Sequence, residues 1–337
     1  MKGGALALPR VAVFSLGGTI SSTDSGGKGV EPTLTGEALV SDVPKIAEVA
    51  EVSAISFRQA ASGEYTVDDL VELASEIEGR IDEGASGAVV TQGTDTIEET
   101  AFVLDLLVDR DAPVVVTGAM RNPTLPGADG PANLLASIQV AASRAARELG
   151  AVVVLNDEIH AARFVRKTHT SNPATFRSEP VGPVGWISED IPRVVVRPVG
   201  RHKITLPGDA QDRPVALHTF TLGDDGRLLP EIERQGYAGL VVEALGGGHV
   251  PSITVDALED LAVKMPVILA SRTGGGEVLR STYGFIGSEM DLLERGLIYA
   301  GPLDGLKARL YLTLLLRAGA TREEIRNSFE SWLDVPV

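Results

Sequence analysis

Cysteine is absent from this chain, which excludes disulfides, thiolate zinc sites and cysteine nucleophiles together. Any nucleophile must be Ser, Thr, Lys, Asp or Glu. Positive charge is also in deficit: 30 Lys+Arg stand against 46 Asp+Glu, a net charge of −16, and there is no Lys/Arg-rich run. That balance excludes sequence-independent binding to a phosphate backbone or an anionic lipid surface, both of which need a dense positive face. No apolar run approaches the ~20 residues of a membrane span. The first ten residues carry no secretory h-region or cleavage site, so a cytoplasmic location is expected. The phosphate-binding pattern G-x-x-x-x-G-K-[ST], the G-x-S-x-G elbow and the H-E-x-x-H zinc motif are all missing, and His160, His169, His202, His218 and His249 show no ligand spacing. No metal or cofactor is expected.

What is present is a loop-rich globular composition. The chain has 337 residues, 44% of them hydrophobic, with 37 Gly and 19 Pro spread among Val/Ile/Leu/Ala runs. At roughly 150 residues per domain that length implies two domains. Short, nearly all-apolar runs recur at Val11–Ser15, Val52–Phe57, Ala88–Thr91, Val114–Thr117 and Ala151–Leu155, as expected of strands buried on both faces of a parallel sheet. Helical spacing fills the gaps at Val67–Ile81, Ile97–Asp109 and Pro131–Leu149. Thr66…Asp69 and Thr96…Glu99 read as capping boxes, and Asp129-Gly130-Pro131 as a cap followed by a first-turn proline. Such alternation predicts a large, doubly wound, mostly parallel N-terminal α/β domain over residues 1–197. A polar, turn-rich stretch over 198–214 reads as a linker. A smaller α/β domain over 215–337 is expected from the strands Val215–Thr221, Gly239–Val242 and Val267–Ala270 and a closing helix pair at Lys307–Ala318 and Arg322–Leu333.

Two strand ends carry residues able to do chemistry. The first runs into Gly17-Gly18-Thr19, where paired glycines permit a sharp turn and close approach at the carboxyl edge, the edge at which open α/β sheets bind ligands. The third runs into Gln92-Gly93-Thr94-Asp95-Thr96. Thr96 and Glu99 are accounted for by the cap. Thr94 and Asp95 are either turn residues or a hydroxyl and a carboxylate facing the same ligand. Lys167, in a Ser/Thr-rich loop, is of interest only if it reaches Thr94, where an amine beside a hydroxyl is one of the few Cys-free ways to activate oxygen. Gly246-Gly247-Gly248-His249 and Gly274-Gly275-Gly276-Glu277 follow strands of the second domain and either cradle a ligand or simply turn.

Taken together, Gly17-Gly18-Thr19-Ile20, Gly93-Thr94-Asp95-Thr96-Ile97-Glu98-Glu99-Thr100-Ala101, Gly118-Ala119-Met120-Arg121, Ala128-Asp129-Gly130-Pro131…Asn133 and Lys167-Thr168…Phe176-Arg177-Ser178 make the chain resemble the bacterial-type L-asparaginase/glutaminase family over almost its whole length. The resemblance implies hydrolysis of asparagine to aspartate and ammonia, with glutamine as a lesser substrate. It assigns Thr19 as nucleophile, and Thr94, Asp95 and Lys167 as a second catalytic cluster. Substrate binding is implied for Gly18, Ser62, Gly63, Gly93, Thr94, Asp95, Ala119 and Met120, with Ser62 on the α-carboxylate and Asp95 on the α-ammonium. Glu289 is taken as the acidic residue of the second domain that reaches the amine, Glu277 being the other candidate. The resemblance also implies a homo-oligomer, a dimer or tetramer, whose sites are completed between subunits.

The sequence departs from the family pattern in several places. No aromatic occurs between Ser21 and Glu51, where many members carry a lid Tyr. Gly63 stands for a common Gln, Gln92 for a common His and Gly247 for a common Asn. Two alternatives follow from these losses: a glutaminase-asparaginase or other amide hydrolase, and a non-catalytic amino-acid-binding protein. A Rossmann-type nucleotide binder would need the G-x-G-x-x-G that is lacking.

Overall fold

β1 (Arg10–Ser15) opens the first unit of the computed structural model, which describes residues 7–18, 22–24, 30–32 and 36–332. An antiparallel pair follows, β2 (Ser22–Asp24) and β3 (Val30–Pro32), then two short helices, α1 (Gly36–Ser41) and α2 (Ile46–Val49). Next come β4 (Glu51–Ser56), α3 (Val67–Asp82), β5 (Gly87–Thr91), α4 (Ile97–Leu107), β6 (Val114–Thr117), α5 (Gly130–Ala142), β7 (Ala151–Leu155) and β8 (Glu158–Ala161). The two-residue strands β9 (Arg166–Lys167) and β10 (Phe176–Arg177) pair with each other, and β11 (Gly185–Ser188) and β12 (Ile191–Val194) close the unit. Its sheet runs β12-β11-β8-β7-β6-β5-β1-β4. The stretch from β4 to β7 is parallel, and β8, β11 and β12 are antiparallel.

Burial explains the composition of these strands. β5, β6 and β7 are buried at every position and β1 at all but its first, because helices cover both faces. β4 is the exception: it is the sheet edge, and none of its residues is fully buried. The antiparallel arm arises from two-residue hairpins. Asn156-Asp157 (φ 52° and 61°) joins β7 to β8, and Glu189-Asp190 (φ 50° and 64°) joins β11 to β12. Paired positive φ values match the right-handed twist of the flanking strands. The helix expected over Pro131–Leu149 stops at Ala142, where Ser143 turns extended (φ −85°, ψ 129°) and its N–H bonds Val140 O.

The chain divides by its internal contacts into residues 1–203 and 204–337. The second unit is a parallel sheet, β13 (Val215–Thr219), β14 (Gly239–Ala244), β15 (Val267–Ser271) and β16 (Ile298–Tyr299), in that order. With it are α6 (Leu229–Arg234), α7 (Val255–Lys264), α8 (Glu289–Glu294), α9 (Gly305–Arg317) and α10 (Arg322–Glu330). Its core gathers Leu240, Val242, Leu258, Leu269 and Leu297. Among the described residues no helix is long and apolar enough to cross a membrane. One unit with a large mixed, mostly parallel sheet and another with a smaller parallel one make up the α/β architecture read from the sequence.

Candidate active site

The carboxyl ends of β4, β1, β5 and β6 are neighbours in the sheet, so the loops leaving them meet. Leu16 N–H bonds Thr91 O at 2.9 Å and Ala60 N–H bonds Leu16 O at 3.1 Å, joining the first loop to its neighbours on both sides. Gly18 lies in the left-handed region (φ 86°), and a Cβ there would collide with the backbone of Gly93. A side chain at Gly93 would in turn come within 2.9 Å of Ser62 Oγ. These two glycines are what let three loops stack backbone to backbone. Thr19, the residue after Gly18, lies outside the described residues.

Thr94 and Asp95 sit in a 3-10 turn (Thr94–Thr96) between β5 and α4, and Lys167 comes from β9. Lys167 Nζ donates to Thr94 Oγ1 at 2.9 Å and to Asp95 Oδ1 at 2.6 Å. Lysine has no acceptor, so the Thr94 oxygen accepts and its own proton is left to point elsewhere. Thr94 is buried and the Lys167 side chain is 14% exposed, while that of Asp95 is 82% exposed. One side of the ion pair is therefore fixed and the other faces solvent. The pair opens on a cleft of about 380 Å³ lined by Asp95, Glu98, Lys167, Thr168, His169 and Thr170. Lys167 is steadied from both directions: Lys167 pairs with Phe176 in the β9–β10 ladder, and Thr168 and His169 both bond Thr175.

Ser62 begins a 3-10 turn (Ser62–Glu64) and is buried. Gly63 is exposed, and a Cβ there would meet nothing within 4 Å. Ala119 is buried and Met120 partly so; their turn is held by Asp129, whose carboxylate accepts from Met120 N at 3.0 Å and Arg121 N at 2.8 Å. Asp129 occupies the N-cap position of α5 but makes no side-chain cap bond. The capping box expected of Thr66 and Asp69 forms in full. The one expected of Thr96 and Glu99 does not: Thr96 makes no side-chain cap bond, and its hydroxyl donates instead to Ser62 O at 3.1 Å.

Glu289 stands at the start of α8 in the second unit. Its residue is fully buried in the second unit, with Oε1 accepting from Thr282 N at 2.9 Å and Tyr283 N at 2.7 Å, and Oε2 3.3 Å from His249 Nε2. Burial pushes its carboxyl up, but the N–H groups of Tyr283 and Thr282 and nearby His249 outweigh that and hold it below the ordinary carboxylate range. Glu277 is exposed, and its carboxylate accepts from Tyr299 Oη. The loop at Gly247 packs on the same segment, with Leu279 N–H bonding Gly247 O at 2.8 Å.

One residue at the site went unnoticed in the sequence. Tyr65 Oη bonds Leu16 O and, at 3.0 Å, Ala60 O, linking the exit of β1 to the Ser62 loop. Burial, with the charge of Asp69, pushes its phenol up to about 12, so it stays a donor at neutral pH. The only available cue was an aromatic three residues after Ser62.

An α/β enzyme equipped to activate an oxygen atom is the class that this geometry defines. Within that class the chain belongs to the asparaginase family: the family model "Asparaginase, N-terminal" matches residues 10–199 and "Glutaminase/Asparaginase C-terminal domain" matches residues 214–329. A probable L-asparaginase of Deinococcus radiodurans is 38% identical over 327 residues, covering 96% of this chain and 97% of that protein. An L-asparaginase of Bacillus licheniformis is 34% identical over 326 residues, 95% of this chain and 98% of its own. The crystal structure of a probable cytoplasmic L-asparaginase from Campylobacter jejuni superposes with a TM-score of 0.87 at 29% identity, covering 96% of this chain and 99% of that one.

Proposed function

We propose that this enzyme hydrolyses the side-chain amide of L-asparagine, giving L-aspartate and ammonia. The observation that carries the reading is the contact of Lys167 Nζ with both Thr94 Oγ1 and Asp95 Oδ1 at the carboxyl edge of the sheet. A carboxamide is a poor electrophile, so its hydrolysis needs an activated oxygen, donors where the oxyanion forms and a proton for the departing nitrogen. Thr19 is the proposed nucleophile, on the strength of the Gly17-Gly18-Thr19 motif. Its Oγ bonds to the amide carbon, the C–N bond breaks, and the hydroxyl proton leaves with ammonia. Water then cleaves the resulting ester and restores Thr19. Thr94, polarised by the Lys167 ammonium, is suited to relay protons in both halves. Asp95 would hold the α-ammonium and Ser62 the α-carboxylate, with Gly18, Gly93, Ala119 and Met120 forming the walls and Gly63 leaving open space beside Ser62.

We further read the second unit's contribution as Glu277 acting in a neighbouring copy of a dimer or tetramer, since Glu277 is the exposed candidate. Light scattering at micromolar concentration tests the oligomer. The reaction is tested by following ammonia from purified protein given L-asparagine, L-glutamine and other β- and γ-amides. Release from asparagine at millimolar concentration supports the proposal, and release from glutamine or another amide alone replaces the substrate. Saturable binding of L-aspartate with no ammonia from any amide would identify a binding protein instead.

A further inference from the structure

We infer that Thr96 and Gln92 form a positioning relay that sets the carboxylate-binding Ser62. The inference rests on the asparaginase reading above, because it concerns how that substrate is held. Thr96 stands where a threonine ordinarily caps a helix, directly ahead of α4, and its backbone (φ −117°, ψ 16°) and side chain do not cap. A local rule broken at a half-buried position beside the site points to a competing job. Here that job is the hydrogen bond from Thr96 Oγ1 to the carbonyl of Ser62, 34 positions away in sequence.

The direction of that bond is enforced from behind. Gln92 is fully buried, and its Nε2 lies 3.3 Å from Gly93 O and 3.1 Å from Thr96 Oγ1. A carbonyl can only accept, so the end of the Gln92 side chain facing Gly93 O is the amide nitrogen, an orientation kept although it leaves Gln92 Oε1 buried without a hydrogen-bond partner. Thr96 Oγ1 must therefore accept from Gln92, and its single proton goes to Ser62 O. One polarised line, Gln92 to Thr96 to Ser62, runs beneath the stacked loops. Tyr65 holds the same loop at Ala60 O, so the Ser62 turn is fixed at its carbonyl by one hydroxyl and just ahead of it by another. Thr96 touches no substrate in this scheme. It acts by presenting Ser62 Oγ beside Gly93, and its loss should weaken binding rather than chemistry.

The test measures kcat and KM for L-asparagine and the Kd of L-aspartate by calorimetry. For Thr96→Val we expect KM and Kd to rise together by about tenfold, the effect of one lost hydrogen bond, with kcat within about twofold. Thr96→Ser keeps the hydroxyl and should return both to within about twofold of the parent. Gln92→Met removes the donor and should raise Kd about threefold, and it decides the matter should Thr96→Val not fold. Unchanged KM and Kd in Thr96→Val, or in Gln92→Met where only that variant folds, would overturn the relay. So would a fall in kcat and thermal stability that Thr96→Ser fails to restore. An inactive parent enzyme would instead overturn the asparaginase reading and the relay with it, so the two failures are distinguishable.

Discussion

Lys167 Nζ stands 2.6 Å from Asp95 Oδ1, yet the Asp95 side chain is 82% exposed, so the carboxylate that orients the lysine also faces the cleft with room for a second cation. If Asp95 takes the substrate's α-ammonium, Asp95→Asn should raise KM for L-asparagine by at least about tenfold, the range expected for a weakened charge-assisted contact. It should also erase the preference over an analogue lacking the α-amine. Steady-state kinetics with L-asparagine and succinamate check both.

Gly18 is a position where no side chain fits. At φ 86° an alanine is strained, and its Cβ would collide with the Gly93 backbone. Gly18→Ala should lose about 2 kcal/mol or more of stability and displace the two loops that carry the proposed catalytic threonines. Urea denaturation and ammonia release report the two effects. An alanine variant as stable and active as the parent would contradict the stacking argument.

Glu289 and Glu277 should separate cleanly. Glu289→Ala removes the buried carboxylate that accepts from Thr282 N and Tyr283 N and should cost about 1–3 kcal/mol. Glu277→Gln should leave stability nearly unchanged and raise KM. The sign of the pH effect follows from Glu289 being held below the ordinary carboxylate range. Its contribution is complete above the unfolded carboxyl pKa of about 4.3 and disappears as pH falls through the lower folded value. The parent should therefore lose thermal stability more steeply than Glu289→Gln below about pH 4.3, as melts across the acid range will show.

Gly63 offers a gain instead of a loss. Open space surrounds its Cβ position next to Ser62. Gly63→Gln should fold normally and place a donor near the proposed carboxylate site, lowering KM severalfold, by about 1 kcal/mol for one added hydrogen bond. A KM equal to or above the parent's would show that the α-carboxylate lies elsewhere.

Much of the scaffold was legible because burial leaves a local mark. β1, β5, β6 and β7 read as apolar runs, α3 announced itself through its capping box, and β13, β14, β15 and α9 followed the same signals. The antiparallel arm was not legible. Its hairpins turn on Asn-Asp and Glu-Asp at positive φ, without the glycine that usually marks such turns, and β8, β11 and β12 are four residues each. At the site, Thr94, Asp95 and Lys167 drew notice as residue types, but their contact is a tertiary fact spanning more than seventy positions. Thr96 and Asp129 show the opposite failure: each matched a capping pattern, and a partner outside the helix took its side chain. Glu289 drew notice as an acidic residue of the second domain, but only the fold reveals that its carboxylate is buried.

Lys167 and Thr94 are proposed to work as one catalytic unit on asparagine. The most direct test of that proposal is the rate of ammonia release from saturating L-asparagine by the parent, Thr94→Ala, Lys167→Met and the double variant, each confirmed folded by circular dichroism. Either single change should lower kcat by at least about a hundredfold, with little further loss in the double variant, as expected of groups acting together in proton transfer. Single variants that keep kcat near the parent value, or losses that multiply in the double variant, would contradict it.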